Sequence, residues 1–181
     1  MIPQPLSRAV STLAVVMCAL PPAFAANQSK QQVELQKEGI ELMGQVLEAA
    51  RDIRYNADRL SMLSKSLTIS KWTHYHHLME IKSLVNEGLQ PAFQRLSEIR
   101  PQLPEWKQQS IDNMMEAAKA LAADANSAIL SKKEAGPMPS PLNAEYKTLI
   151  SNVYQHADSL VKTAETAREY AKTKLKAEQG G

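Results

Sequence analysis

From Tyr146 onward the apolar residues return at alternating four- and three-residue steps: Tyr146, Ile150, Val153, Ala157, Leu160, Ala164, Ala167 and Ala171. On an α-helix that spacing makes one continuous stripe. On a β-strand, whose faces alternate every second residue, it makes nothing coherent. A helix cannot bury its own stripe, so a chain carrying this seam must lay it against other helices.

Three earlier stretches answer that need. Val46, Ala50, Ile53, Ala57, Leu60 and Leu67 form a similar stripe interrupted by Ser64, and Val33, Ile40 and Met43 extend it with a stutter between Met43 and Val46. The spacing predicts a helix from about Ser29 to Leu67, broken by Thr68-Ile69-Ser70, with Ser70 as the N-cap of the next. A second helix, about 71–99, carries Leu78, Ile81, Val85, Ala92, Leu96 and Ile99, and Pro91 inside it should kink or divide it. The third, about 105–133, carries Ile111, Met114, Ala118, Leu121, Ala125 and Ala128, with Pro104 suited to its first turn. The fourth, about 143–177, carries the opening seam.

Proline punctuates the same plan. None occurs from Ala23 to Gln90, and Pro101-Gln102-Leu103-Pro104 and Gly136-Pro137-Met138-Pro139-Ser140-Pro141 fall between predicted helices. Helices of about 40–55 Å joined by short loops predict an all-α, up-down-up-down four-helix bundle. Alanine dominates the last seam, and Phe93 is the only phenylalanine beyond the first 25 residues, so the helices should approach closely.

Those first 25 residues read as an address. Arg8 gives a positive start, Ala9 to Leu20 a short apolar run, Pro21-Pro22 a break, and Ala23-Phe24-Ala25 the small residues that signal peptidase requires. The expectation is a signal peptide over 1–25, cleaved after Ala25, and a single bundle domain over 26–181 that is periplasmic or secreted. The apolar run is too short for a permanent membrane span, so no transmembrane anchor is expected after cleavage. No twin-arginine pair is present, which favours general secretion over export of a folded, cofactor-loaded protein.

Removing the leader leaves 20 basic and 19 acidic residues, a balance that gives no signature of nucleic-acid binding. The only cysteine, Cys18, lies in the leader behind Met17, which is not the small residue that precedes a lipidated cysteine. The remaining domain has no thiol for a disulfide, a zinc site or covalent haem attachment, and must be held by packing.

Among residues that could carry chemistry, His74-Tyr75-His76-His77 stands out. His74 and His77 share a helical face, and Glu80 follows His77 by three and His76 by four, so His74, His77 and Glu80 are candidate metal ligands. Their order is His-x-x-Glu, whereas di-iron bundles use Glu-x-x-His on two helices. The competing reading makes His74 a hydrogen-bonded histidine at the core boundary beside Leu78 and Ile81. Level along the bundle puts Tyr146 close to His74. The expectation is one packed, hydrogen-bonded bundle end containing Trp72, His74 and Tyr146, with Trp106 closing the opposite end beside Ile99.

Haem is not expected. Met43 and His156 have the residue types of a haem-binding four-helix cytochrome, but their levels differ by roughly 16 Å at the helical rise. No cofactor is therefore predicted. Nothing resembles a nucleophile elbow, a phosphate-cradling glycine loop or a His-Glu-x-x-His zinc motif. The basic residues Arg168, Lys172, Lys174 and Lys176 suit a solvated helix C-terminus.

Several stretches together carry a likeness: Trp72-Thr73-His74, Ile81, Val85-Asn86, Glu105-Trp106-Lys107-Gln108, Ile111-Asp112 and Glu145-Tyr146. The chain resembles a family of exported bacterial all-helical proteins with no assigned activity, over most of residues 58–175. Members share a Trp/His helix start, a Val-Asn pair, a Trp-Gln start followed by Ile-Asp, and a Pro-Glu-Tyr start to the last helix. This chain departs from the pattern at Asn143-Ala144, where the family tends to have Thr-Pro, and its tryptophan sits one position closer to the histidine. The resemblance implies export and a helical fold, and it brings no catalytic motif.

The combined expectation is a non-enzymatic structural or interaction module of the cell envelope, partnered by an unknown envelope protein or by itself. Two alternatives differ in class. A metal- or haem-binding bundle would use His74, His77 and Glu80, or His156. A periplasmic chaperone-like helper would need an exposed apolar concavity, and the Leu-Thr-x-x-Gln repeats of small helical envelope chaperones are missing.

Overall fold

A computed structural model describes residues 22–65, 71–134 and 144–179. Its elements are α1 (Pro22–Leu63), α2 (Lys71–Ser83), a π-helical segment (Leu84–Leu89), α3 (Gln90–Ile99), a 3₁₀ turn (Arg100–Gln102), α4 (Glu105–Glu134) and α5 (Ala144–Gln179). Among the described residues there is no strand, and the fold is all-α with four helical rods, the second made of α2, the π segment and α3. No described helix is long and apolar enough to cross a membrane. Most of the expected signal peptide, residues 1–21, and the expected break and cap at 68–70 lie outside the described residues. The first helix begins at Pro22 rather than near Ser29, running through Ala25, and ends at Leu63.

The opening seam is buried along its whole length, from Tyr146 to Ala171. On α1 the stripe differs from the expected one at its N-terminal part. Val33 and Ile40 are only partly covered, while Gln36 and Gly39 are buried. The buried positions 36, 39, 43, 46, 50, 53, 57, 60 and 64 step by three and four without a stutter. A hydropathy reading skips Gln36 and Gly39 because neither side chain is apolar. The α4 seam likewise extends one turn upstream of Ile111, to a buried Lys107.

The second rod shows what Pro91 does. Its ring removes one backbone N–H and clashes with the carbonyl four residues back, that of Glu87. The chain widens just before it: the Gln90 N–H donates to the Val85 carbonyl, five residues back. That widening inserts one residue into the stripe, so the core positions run Leu78, Ile81, then Leu89, Ala92, Leu96 and Ile99. Val85, expected in the core, is only partly buried as a result. The π segment also lies hard against α1, where a Cβ on Gly88 would stand 2.9 Å from the Ala49 Cβ.

Partners on neighbouring helices run in opposite residue order. Arg51 and Arg54 of α1 pair with Glu165 and Asp158 of α5 at 3.0 and 2.9 Å. Asp124 of α4 meets His156 at 3.2 Å, and farther along Trp106 meets Tyr170. Glu38 takes Arg95 at 2.6 Å, and Asn56 takes His77 at 2.9 Å. At the turn into α4, Arg100 holds Asp112 with two nitrogens. The Pro104 carbonyl accepts from the backbone N–H of Lys107 and Gln108, which places Pro104 just before the helix rather than in its first turn.

Candidate functional site

Besides open surface hollows lined by Trp106, Lys162 and Tyr170 and by Lys37, Glu41 and Arg168, three places in the bundle gather polar or apolar groups. The first is at the start of α2 and α5. His74 and Tyr146 are both fully buried, with His74 Nδ1 3.2 Å from Tyr146 Oη and the rings edge to face at 5.8 Å. Burial holds the Tyr146 phenol above the ordinary tyrosine range. It stays neutral, with a proton to donate to a neutral imidazole nitrogen. Trp72 does not join them and corrects the expected cluster. It is 75% exposed and stands edge-on to Tyr75 at 6.1 Å. Two residues on a helix turn about 200°, so a tryptophan two before an inward His74 faces out.

One turn on, His77 Nδ1 lies 2.9 Å from Asn56 Oδ1 and 3.2 Å from Glu80 Oε2. The Asn56 amide nitrogen donates to the Asp52 carbonyl, which fixes its oxygen toward the histidine. Both neighbours of Nδ1 are acceptors, so Nδ1 carries the proton and donates. Glu80 reaches the exposed His76 with its other oxygen, at 3.2 Å. His74, His77 and Glu80 are therefore not brought together as a ligand set, because His74 turns to α5 while the others stay with α1 and the surface. Among the described residues no group of three His, Cys, Asp or Glu is placed to hold a metal ion. Met43 is buried on α1, and His156 sits half-exposed on Asp124 of α4.

The opposite end of the bundle has its own polar layer, which the residue pattern did not announce. Lys107 is 1% exposed, and its Nζ donates to Gln36 Oε1 at 3.3 Å. Trp106 beside it is half-buried and packs edge-to-face on Tyr170 of α5 at 4.6 Å. The signal was present but unconventional. Stepping the α4 seam back four residues from Ile111, and the α1 seam back four and then three from Met43, reaches Lys107 and Gln36.

The third place is apolar and open. Between the second rod and α4 runs a groove in two adjoining parts of about 310 and 230 Å³, sharing Val85, Asn86 and Ala122. Leu89 and Phe93 form one wall toward the α3 end, with Met115 and Ala118 across from them. Lys82, Asn126 and Ile129 finish it at the other end. No carboxylate lines either part.

No known family profile, curated protein or solved structure matches this chain.

Proposed function

We propose that this chain is an exported, non-enzymatic helical-bundle protein of the cell envelope whose work is binding. The opposed contact order of α1 with α5, of α4 with α5 and of α1 with the second rod supports an up-down-up-down course. Residues 1–25 support export to the periplasm or medium, and the resemblance to an exported all-helical family points the same way.

One observation carries the binding reading. Inside the bundle His74 engages Tyr146 and Lys107 engages Gln36 across helices, while the open groove between the second rod and α4 is lined mainly by apolar side chains. An enzyme site converges polar or titratable groups on an open pocket. In this groove no carboxylate or histidine converges. An unknown envelope protein or a second copy are the partners this reading admits.

Metal and haem analysis of the untagged, mature protein tests it. A colourless, metal-free, fully helical protein is expected. Stoichiometric metal that disappears in a His77→Ala, Glu80→Gln double variant would overturn the reading and make this a cofactor protein.

A further inference from the structure

The groove between the second rod and α4 has a cause, and the cause defines its shape. Gly88 lets the π segment close on Ala49 of α1, which draws that part of the rod toward α1. Across the gap, α4 presents Ala118, Ala122 and Ala125, side chains too short to fill it. The phase shift at the π segment also turns Val85 out of the core and into the groove wall. The result is a narrow apolar channel, about 16 Å long between the levels of Lys82 and Phe93 at the helical rise.

Its charge is one-sided. Lys82 and Lys119 line the channel, both exposed, and no carboxylate does. Elsewhere Lys37, Lys162 and Lys172 each hold a carboxylate three or four residues away. Lys82 and Lys119 take part in no ion pair among the described residues. An occupant that completes this surface brings a long apolar body and a negative head. The small volumes are those of a small-molecule site rather than of a groove that seats a partner helix.

We propose that the groove binds a single-chain fatty acid. Its carboxylate sits at the Lys82 end, where Lys82 supplies charge and the Asn126 amide a donor. The acyl chain runs past Val85 and Leu89 to Phe93 and Met115. Lys119 stands midway and adds a longer-range attraction. Small residues on α4 and the widened turn of the second rod thereby acquire a shared purpose.

The site rests on the binding reading above, and the two fail separately. A metal-free protein that ignores fatty acid removes this site alone, whereas stoichiometric metal removes the general reading whatever the groove does.

Titration calorimetry with dodecanoate below its micelle concentration is the test, with dodecyltrimethylammonium as the cationic control. One dodecanoate per chain is expected, bound at least tenfold more tightly than the cation. Ala122→Trp, which fills the shared stretch of groove, should abolish binding. Lys82→Glu, at an exposed position that leaves the core untouched, should weaken it tenfold or more with wild-type helicity and Tm. Absence of saturable binding, equal binding of the two amphiphiles, or full affinity in Lys82→Glu would each overturn the proposal.

Discussion

Along the buried seam of α1 and α5 two helices meet closely, whereas the second rod and α4 part around Val85 and leave a groove. On the closed side Ile53, Ala57 and Leu60 face Val153, Ala157 and Leu160 with essentially no exposure, and arginine–carboxylate pairs flank the seam. On the open side Val85 and Met115 are only partly buried, and the opposing α4 residues are alanines. Both sides use the same heptad grammar. They differ by one inserted residue in a π turn and by one glycine that sends the second rod toward α1. A regular seam thus supplies stability, and a single irregularity supplies accessible apolar surface.

The largest test of that contrast is a pair of truncations. Leu160→Ala on the closed side should cost about 2–5 kcal/mol, because the surrounding seam cannot collapse into the void. Val85→Ala on the groove wall should cost less than about 1 kcal/mol, since its side chain already faces open space. Urea unfolding of both variants measures the difference, and equal costs would erase the distinction.

Gly88→Val comes next. Its Cβ would stand 2.9 Å from the Ala49 Cβ, so helix and π segment must separate at a cost of about 1–3 kcal/mol. The same urea series reads that loss, and its absence would show that the approach to α1 does not shape the second rod.

Tyr146→Phe probes the end of the bundle where α5 begins. Removing the phenol takes a partner from the buried His74 nitrogen and should cost about 1–3 kcal/mol. It also carries a pH signature. Because burial raises the folded phenol above its free value, its contribution is full below about pH 10 and is lost as pH climbs toward the raised value. The variant should therefore lose part of the alkaline limb of its stability profile, together with one late-titrating tyrosine in the ultraviolet.

Asp158→Asn should have the smallest effect. Lys162 and Arg54 hold the Asp158 carboxyl below the usual carboxylate range. Its contribution is full above about pH 4 and is lost as pH falls through the lowered value. The partly exposed pair adds little at neutral pH, so the variant should match wild type at pH 7 and show a shallower decline in acid. A large loss at neutral pH would mean that the closed side depends on its flanking charges.

Most of the architecture could be read from spacing. The α5 seam, the break at Pro101 to Pro104 and the disturbance at Pro91 follow directly from helical periodicity and proline chemistry. The neighbouring levels of His74 and Tyr146 follow from counting along the rods. What escaped reading has physical reasons as well. Gln36, Gly39 and Lys107 occupy seam positions without apolar side chains, so hydropathy passes over them while geometry does not. Trp72 is large and apolar enough to suggest the core, yet its two-residue offset from His74 puts it on the outward face. The groove was invisible because it depends on which of two neighbours the π segment approaches, and that is decided by Gly88 against Ala49, far apart in the chain.

Amide hydrogen exchange over the whole protein tests the contrast most directly. The account predicts that the amides of Leu84–Leu89 exchange through local opening, orders of magnitude faster than those between Val153 and Leu160, which should open only with global unfolding. Equal protection of the two regions, both limited by global unfolding, would contradict it.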